Sequence, residues 1–171
     1  MLKLRKNKKG FTLVELIVVI AIMAVLAGTV AGVTVSQLNK NTDKTNLNQA
    51  KGIADFVAGE IADTTSSVYS TTTGELVGTQ IITAIKGQYK SVTFSNGTTE
   101  TAITAAPGKG KFAINIVKTG EEGKEKVTSV EILYTEKQTS GKTKGYKVSD
   151  DGVIEPINEW TKPQPTTKIT S

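Results

Sequence analysis

The chain contains no cysteine and no histidine among its 171 residues. Without cysteine there are no disulfide staples, thiolate metal ligands or cysteine nucleophiles, and without histidine there is no histidine general base and no Ser–His pair. Catalysis has few side chains left to work with, and any folded region must be held by its own apolar core in whatever redox compartment it occupies. Proline is scarce as well: three of the four prolines fall from Pro156 onward, so the residues from there to the end are expected to be extended or loosely ordered. A chain of this length can build one modest globular head plus a helix, but not two domains that each have a sizeable core.

Positive charge is present but unevenly placed. The net charge is +5, and Lys3, Arg5, Lys6, Lys8 and Lys9 supply five positive charges in a leader of ten residues that contains no acid. The remaining chain holds 16 basic and 16 acidic side chains. A protein that grips DNA or RNA by its backbone needs a basic surface on its folded part to release counterions. A balanced remainder gives no reason to expect direct nucleic-acid binding.

From Leu16 to Val35 the chain runs 20 residues without a charge. At about 1.5 Å per residue, a helix of that length crosses about 30 Å of hydrocarbon. The flanking basic residues place the amino terminus inside and everything after Gln37 outside. A basic leader followed by an apolar run also describes an ordinary secretory signal peptide, with small residues near Ala27 and Ala31 as cleavage sites. Glu15 argues against that alternative. It puts a carboxylate at the mouth of the apolar run, where a charge is costly, and a signal sequence has no use for it.

At Lys9-Gly10-Phe11-Thr12-Leu13-Val14-Glu15-Leu16 the chain resembles the class III leader of type IV prepilins and of the pseudopilins of type II secretion and competence systems. The resemblance covers about the first 30 residues. It implies that a membrane prepilin peptidase cuts after Gly10 and methylates the new amino-terminal residue, Phe11. It also implies that Glu15 neutralises the amino terminus of an adjacent subunit during assembly. The physical logic can be stated without the family. Cleavage before the apolar run removes the charges and keeps the anchor. A glycine lets the scissile bond enter a protease groove at the membrane face. Glu15 is the fourth residue after Phe11, which on a helix puts both on one face, one turn apart, so that a charge pair satisfies two groups that are costly when unpaired in an apolar core. The partners implied are the peptidase and N-methyltransferase, further copies of the chain and minor pilins, an assembly platform with its cytoplasmic ATPase, and membrane lipid before assembly.

Gly28 and Gly32 make a GxxxG spacing that admits close helix approach, although glycine is common in membrane helices for other reasons. Beyond Val35 the sequence turns polar, and then Leu47, Ala50, Ala54, Val57 and Ile61 form a helical stripe. Ile53 and Ala58 widen the stripe, and Phe56 lies off its edge. One long helix is expected, apolar all round in its inner half and amphipathic in its outer half, stopping in the Thr64-Thr65-Ser66-Ser67 cluster after Asp63. A disordered linker from Ser36 to Asn46 is the alternative.

Leu76 to Ile85 is apolar and of ambiguous type, with a short helix as one option, whereas Tyr89 to Ser95 reads as a strand. Phe112-Ile114-Ile116 and Val130-Ile132-Tyr134 alternate as strands, and Tyr146-Lys147-Val148 follows as a third, which suggests an antiparallel meander covering the helix stripe. Trp160 is expected to pack back on its own domain. Asp150-Asp151-Gly152, with Glu155 nearby, lacks the alternating ligands of a calcium loop and reads as a solvated turn. No metal, cofactor or catalytic residue is expected.

These observations predict an α+β, type IV pilin-like fold: a long amino-terminal helix, with transmembrane and amphipathic halves, packed on a small antiparallel sheet. The expected parts are a cleaved leader over 1–10, an assembly half over 11–35, an amphipathic half over 36–64, a head over 65–155 and a tail over 156–171. The function implied is that of a prepilin, a non-enzymatic structural subunit that is membrane-held before assembly and part of a surface filament afterwards. The alternatives are a pseudopilin of a secretion or DNA-uptake machine, a soluble secreted binding protein, and a hydrolase built on Asp150 and Asp151. Familiar Gram-negative major pilins close a carboxy-terminal loop with paired cysteines. Their absence here leans, by analogy, toward a Gram-positive pilin or a pseudopilin.

Overall fold

A computed structural model describes residues 10–95, 103, 105–121, 123–138 and 141–161. Of the expected leader only Gly10 falls within this range, and the tail beyond Thr161 lies outside the described residues. The elements in chain order are α1 (Leu13–Ala62), α2 (Gly78–Gln88), β1 (Phe112–Thr119), β2 (Lys126–Thr135), β3 (Thr143–Ser149) and β4 (Ile154–Ile157). The chain divides into two compact units, Met1–Leu38 and Asn39–Ser171, and α1 contributes to both.

In the first unit α1 buries nothing. Ile17, Val18, Val19, Ile20 and Ile22 each keep about half or more of their surface exposed, as do Met23, Val25 and Leu26 further along. Apolar side chains around the whole circumference suit a helix whose solvent is lipid or other helices. This helix is long and apolar enough to cross a membrane, and no linker interrupts it over Ser36 to Asn46.

The described residues of the second unit share one hydrophobic core. From α1, Ala50, Ile53, Ala54, Val57 and Ile61 are buried, with Leu47 and Ala58 partly so, as the stripe predicts. Phe56, expected off the edge, also packs against the core, edge-on to Tyr89 with ring centroids 5.9 Å apart. The helix ends where Asp63 turns its carboxylate onto Thr65, accepting from both its amide and its hydroxyl. α2 adds Ile81, Ile82 and Ile85, which resolves the ambiguous apolar stretch as a helix.

The sheet is antiparallel throughout, in the order β1-β2-β3-β4. Phe112, Ile114 and Ile116 share one face with Val130, Ile132 and Tyr134, and together with Val148 they join the helix residues in the core. The other face is covered too. Ala113, Asn115 and Leu133 are buried. Asn115 Oδ1 accepts the Ile103 amide, its Nδ2 donates to Glu131, and Trp160 Nε1 donates to the same carboxylate at 3.0 Å. Trp160 therefore packs back on its own unit, as expected.

Two features depart from the sequence reading. Tyr89 to Ser95 is not a strand. Tyr89 caps α2 and its hydroxyl donates to the Gly52 carbonyl at 2.8 Å, so the residue is tied to the helices, and only Phe94 bridges to β1. Conversely, β4 is unexpected, because Pro156 discourages a strand assignment. Pro156 sits on the outermost strand, where its missing N–H costs no ladder bond. The turn leading into β4 is Asp150-Asp151-Gly152, with Gly152 at φ +82°.

Candidate functional site

The described chain starts at Gly10, which is exposed and has nothing within 4 Å of where a Cβ would stand. Phe11 is 90% exposed. Thr12 precedes the first helical residue and serves as the cap of α1. The Glu15 amide donates to Thr12 Oγ1 at 3.2 Å, while the Thr12 amide and hydroxyl donate to Glu15 Oε2 at 2.8 and 3.0 Å. This reciprocal pattern is a capping box, and it satisfies amides that the first turn of a helix otherwise leaves open.

The structure thus brings Glu15 to Thr12, with Phe11 lying just outside the helix. Phe11, Val14, Leu16, Val18 and Val19 line an open apolar groove with Glu15. Sequence reasoning passed over Thr12, although the signal was legible as T-x-x-E directly before an apolar run. Gly28 and Gly32 have no neighbour within 4 Å of their missing side chains. Within one chain that face is open.

Residues 5–31 match the family model described as the prokaryotic N-terminal methylation motif. The chain carries the signature of type IV pilins and pseudopilins. Neither a curated protein nor a solved structure matches it. The matched residues end well short of the head, whose chemistry rests on its own side chains.

The head contains a polar centre that the sequence reading did not single out. Asp43 is 2% exposed, yet it lies on the helix stripe, seven residues before Ala50. Its Oδ1 accepts the Tyr134 hydroxyl at 2.7 Å and the Lys137 amide at 2.9 Å. Burial alone pushes the Asp43 carboxyl up, but the Lys137 amide, the Tyr134 hydroxyl and the nearby Gln138 outweigh it and hold the carboxyl below its ordinary value. Although Gln138 adds to the field, no hydrogen bond of good geometry closes on Asp43 Oδ2. Burial, reinforced by the charge on Asp43, pushes the Tyr134 phenol up to about 12, so it stays a donor at every physiological pH. Asp43 fastens the helix to the end of β2. Its signal in the sequence was an acid at a stripe position where apolar residues recur.

Among the described residues no group of His, Cys, Asp and Glu has the makings of a metal site. Asp150 and Asp151 sit in the β3–β4 turn, where Val153 donates its amide to Asp151 and Asp150 donates its own to the Thr128 carbonyl.

Proposed function

We propose that the chain is a prepilin: cleaved after Gly10, N-methylated on Phe11, and polymerised through the inner half of α1 into a filament whose surface is made by the heads. The observation that carries this is the methylation motif at residues 5–31, which takes in the start of an apolar helix whose inner half buries no residue. A long apolar helix and this motif fit a membrane-anchored precursor. Such a helix in water is untenable, and lipid before assembly and neighbouring helices after it are the two environments that suit it.

In this scheme Glu15 has two successive partners. In the isolated chain its carboxylate is taken by Thr12. In the filament it accepts the methylated amine of a neighbouring Phe11, which pairs two charges that the apolar core would otherwise penalise. Prepilin peptidase, the assembly platform and its ATPase are the partners this route requires. The chain itself catalyses no reaction.

Mass spectrometry of the amino-terminal peptide, taken separately from membrane and sheared-surface fractions of the native host, tests the route directly. A peptide beginning with N-methylated Phe11 is the expected result. A peptide beginning near Gly28 or Gly32 would mean conventional secretion and end the proposal. Imaging of surface filaments then separates a long pilus from the short filament of a pseudopilin.

A further inference from the structure

The head's balanced charge conceals a polarity. The loop before β1 and the β2–β3 connection meet at one end of the sheet, where the Gly110 amide donates to the Thr135 carbonyl and the Thr135 amide to the Lys111 carbonyl. Asp43 takes the Lys137 amide at this same end. Two left-handed glycines let lysine stems lie across the backbone here. A Cβ on Gly110 would stand 2.7 Å from the Lys137 side chain, and one on Gly141 would stand 3.0 Å from that of Lys109.

Lys109, Lys111 and Lys137 are exposed, as are Lys40 and Lys44 on the adjoining stretch of α1. Among the described residues none of these five makes an ion pair, whereas Lys142 and Lys144 are matched by Glu159 and Glu136. The opposite end is different. There the β3–β4 turn reaches α1, with Gly152 3.6 Å from the Ala58 carbonyl oxygen, reckoned from an added Cβ. Asp150, Asp151, Glu121 and Glu125 lie at that end against Lys118, Lys124 and Lys126, the last of which is paired with Glu75. Fifteen helical steps from Asp43 to Ala58 separate the two ends by about 22 Å, well over a Debye length of about 8 Å, so their fields do not cancel.

We infer that the lysine end of the head is a docking surface for anionic phospholipid headgroups, engaged while the subunit waits in the membrane. This rests on the membrane-anchored reading above. Val35, the last residue of the apolar run, is eight residues from Asp43. That is about 12 Å in a helix and at most about 29 Å fully extended, so the chain joining the lysine end to the apolar run is short. The polar layer of each leaflet is about 5–8 Å thick, and a lysine side chain reaches about 6 Å, so a head drawn against that layer places its ammonium groups in it. Each lysine near an anionic surface is worth about fivefold in partitioning. The acidic end, facing the same surface, would be repelled, so the charge polarity also fixes which end turns toward lipid.

Absence of cysteine makes the test clean, since one introduced thiol is the only thiol. The full chain carrying Gly108→Cys is labelled with a fluorophore and placed in vesicles of zwitterionic lipid, with or without anionic phospholipid, that contain a headgroup quencher. A second chain carrying Asp151→Cys reports the far end. Quenching at position 108 is expected to rise about threefold or more with anionic lipid, to collapse in about 0.5 M salt, and to rise by no more than about half as much in the Lys109→Gln, Lys111→Gln, Lys137→Gln variant, which keeps Lys40 and Lys44, with position 151 unmoved. Equal quenching in the two lipids overturns the inference, as does a rise that follows protein density rather than lipid charge, which would assign the surface to a second copy of the chain. The salt series on the chain with all its lysines decides the matter even where the triple variant folds poorly. Failure of the chain to float with any vesicle would instead end the membrane-anchored reading.

Discussion

The two units of the molecule meet the same physical demand in different ways. Apolar side chains must leave water, and in the head they do so within one chain: Ile53, Ile81, Ile114 and Ile132 are each no more than 1% exposed. In the inner half of α1, equally apolar residues such as Ile17, Ile20 and Ile22 stay more than half exposed. The head is a finished fold, whereas the inner helix leaves its apolar surface uncovered within the chain. Changes in the inner helix should therefore disturb processing and assembly without loosening the head, and changes in the head should do the reverse.

The largest effect is expected at the scissile bond. Gly10→Val should leave the full-length precursor in the membrane, seen as a complete loss of the shortened form on a gel, with the thermal unfolding of the head unchanged. Glu15→Val should still be cleaved but should lower the yield of sheared filament about tenfold or more, since it leaves the neighbour's amine unpaired in an apolar core. Normal cleavage of the Gly10→Val chain would refute the leader assignment.

Next in size are two changes in the head. A Cβ at Gly145 would stand 1.9 Å from the Ile132 carbonyl oxygen in the neighbouring strand. Backbone cannot yield cheaply there, so Gly145→Ala should cost about 3 kcal/mol. Asp43→Ala strands the Tyr134 hydroxyl and the Lys137 amide and should cost about 2–3 kcal/mol. Trp160, the single tryptophan, reports unfolding of the head in both cases, while cleavage after Gly10 should proceed as before. The pH dependence has a definite sign. The Asp43 carboxyl is held below its ordinary value in the fold, so its contribution is present above the unfolded pKa of about 4 and is lost as pH falls through the lower folded value. Acid should therefore loosen the head of the unmodified chain, and Asp43→Asn should flatten that dependence.

Legibility in the sequence divides along similar lines. Periodicity revealed the stripe from Leu47 to Ile61, the alternation of β1 and β2 and the turn at Gly152, because local pattern and tertiary burial agree there. Tyr89 to Ser95 misled because β propensity says nothing about tertiary partners: Tyr89 is drawn to Gly52 and Phe56 on α1. β4 was hidden by Pro156, whose tolerance depends on being at the sheet edge, a fact of topology. Asp43 was hidden because an acid within a polar stretch reads as solvent-facing until its partners, 91 and 94 residues away, are known. At the amino terminus the position of the motif was legible from Gly10 and Glu15. Thr12 was hidden because the charge of Glu15 points to an ion pair, while its part in a helix cap shows only once the helix start is fixed.

The smallest expected effect probes that cap. Thr12→Ala removes the hydroxyl that accepts the Glu15 amide and donates to its carboxylate, and loss of such a cap costs about 1 kcal/mol. The helix start should fray, so the backbone amides of Glu15 and Leu16, which donate to Thr12, should exchange about fivefold faster in the full chain held in a bilayer mimic. Cleavage after Gly10 and the head's unfolding should not change. Glu15→Gln alone should produce a similar but smaller acceleration, because an amide oxygen still accepts from Thr12. If the two residues act as one box, the double change should speed exchange by less than the product of the single effects. Multiplicative effects would mean that Thr12 and Glu15 act separately, leaving the carboxylate free to meet a neighbour's amine without first giving up its own cap.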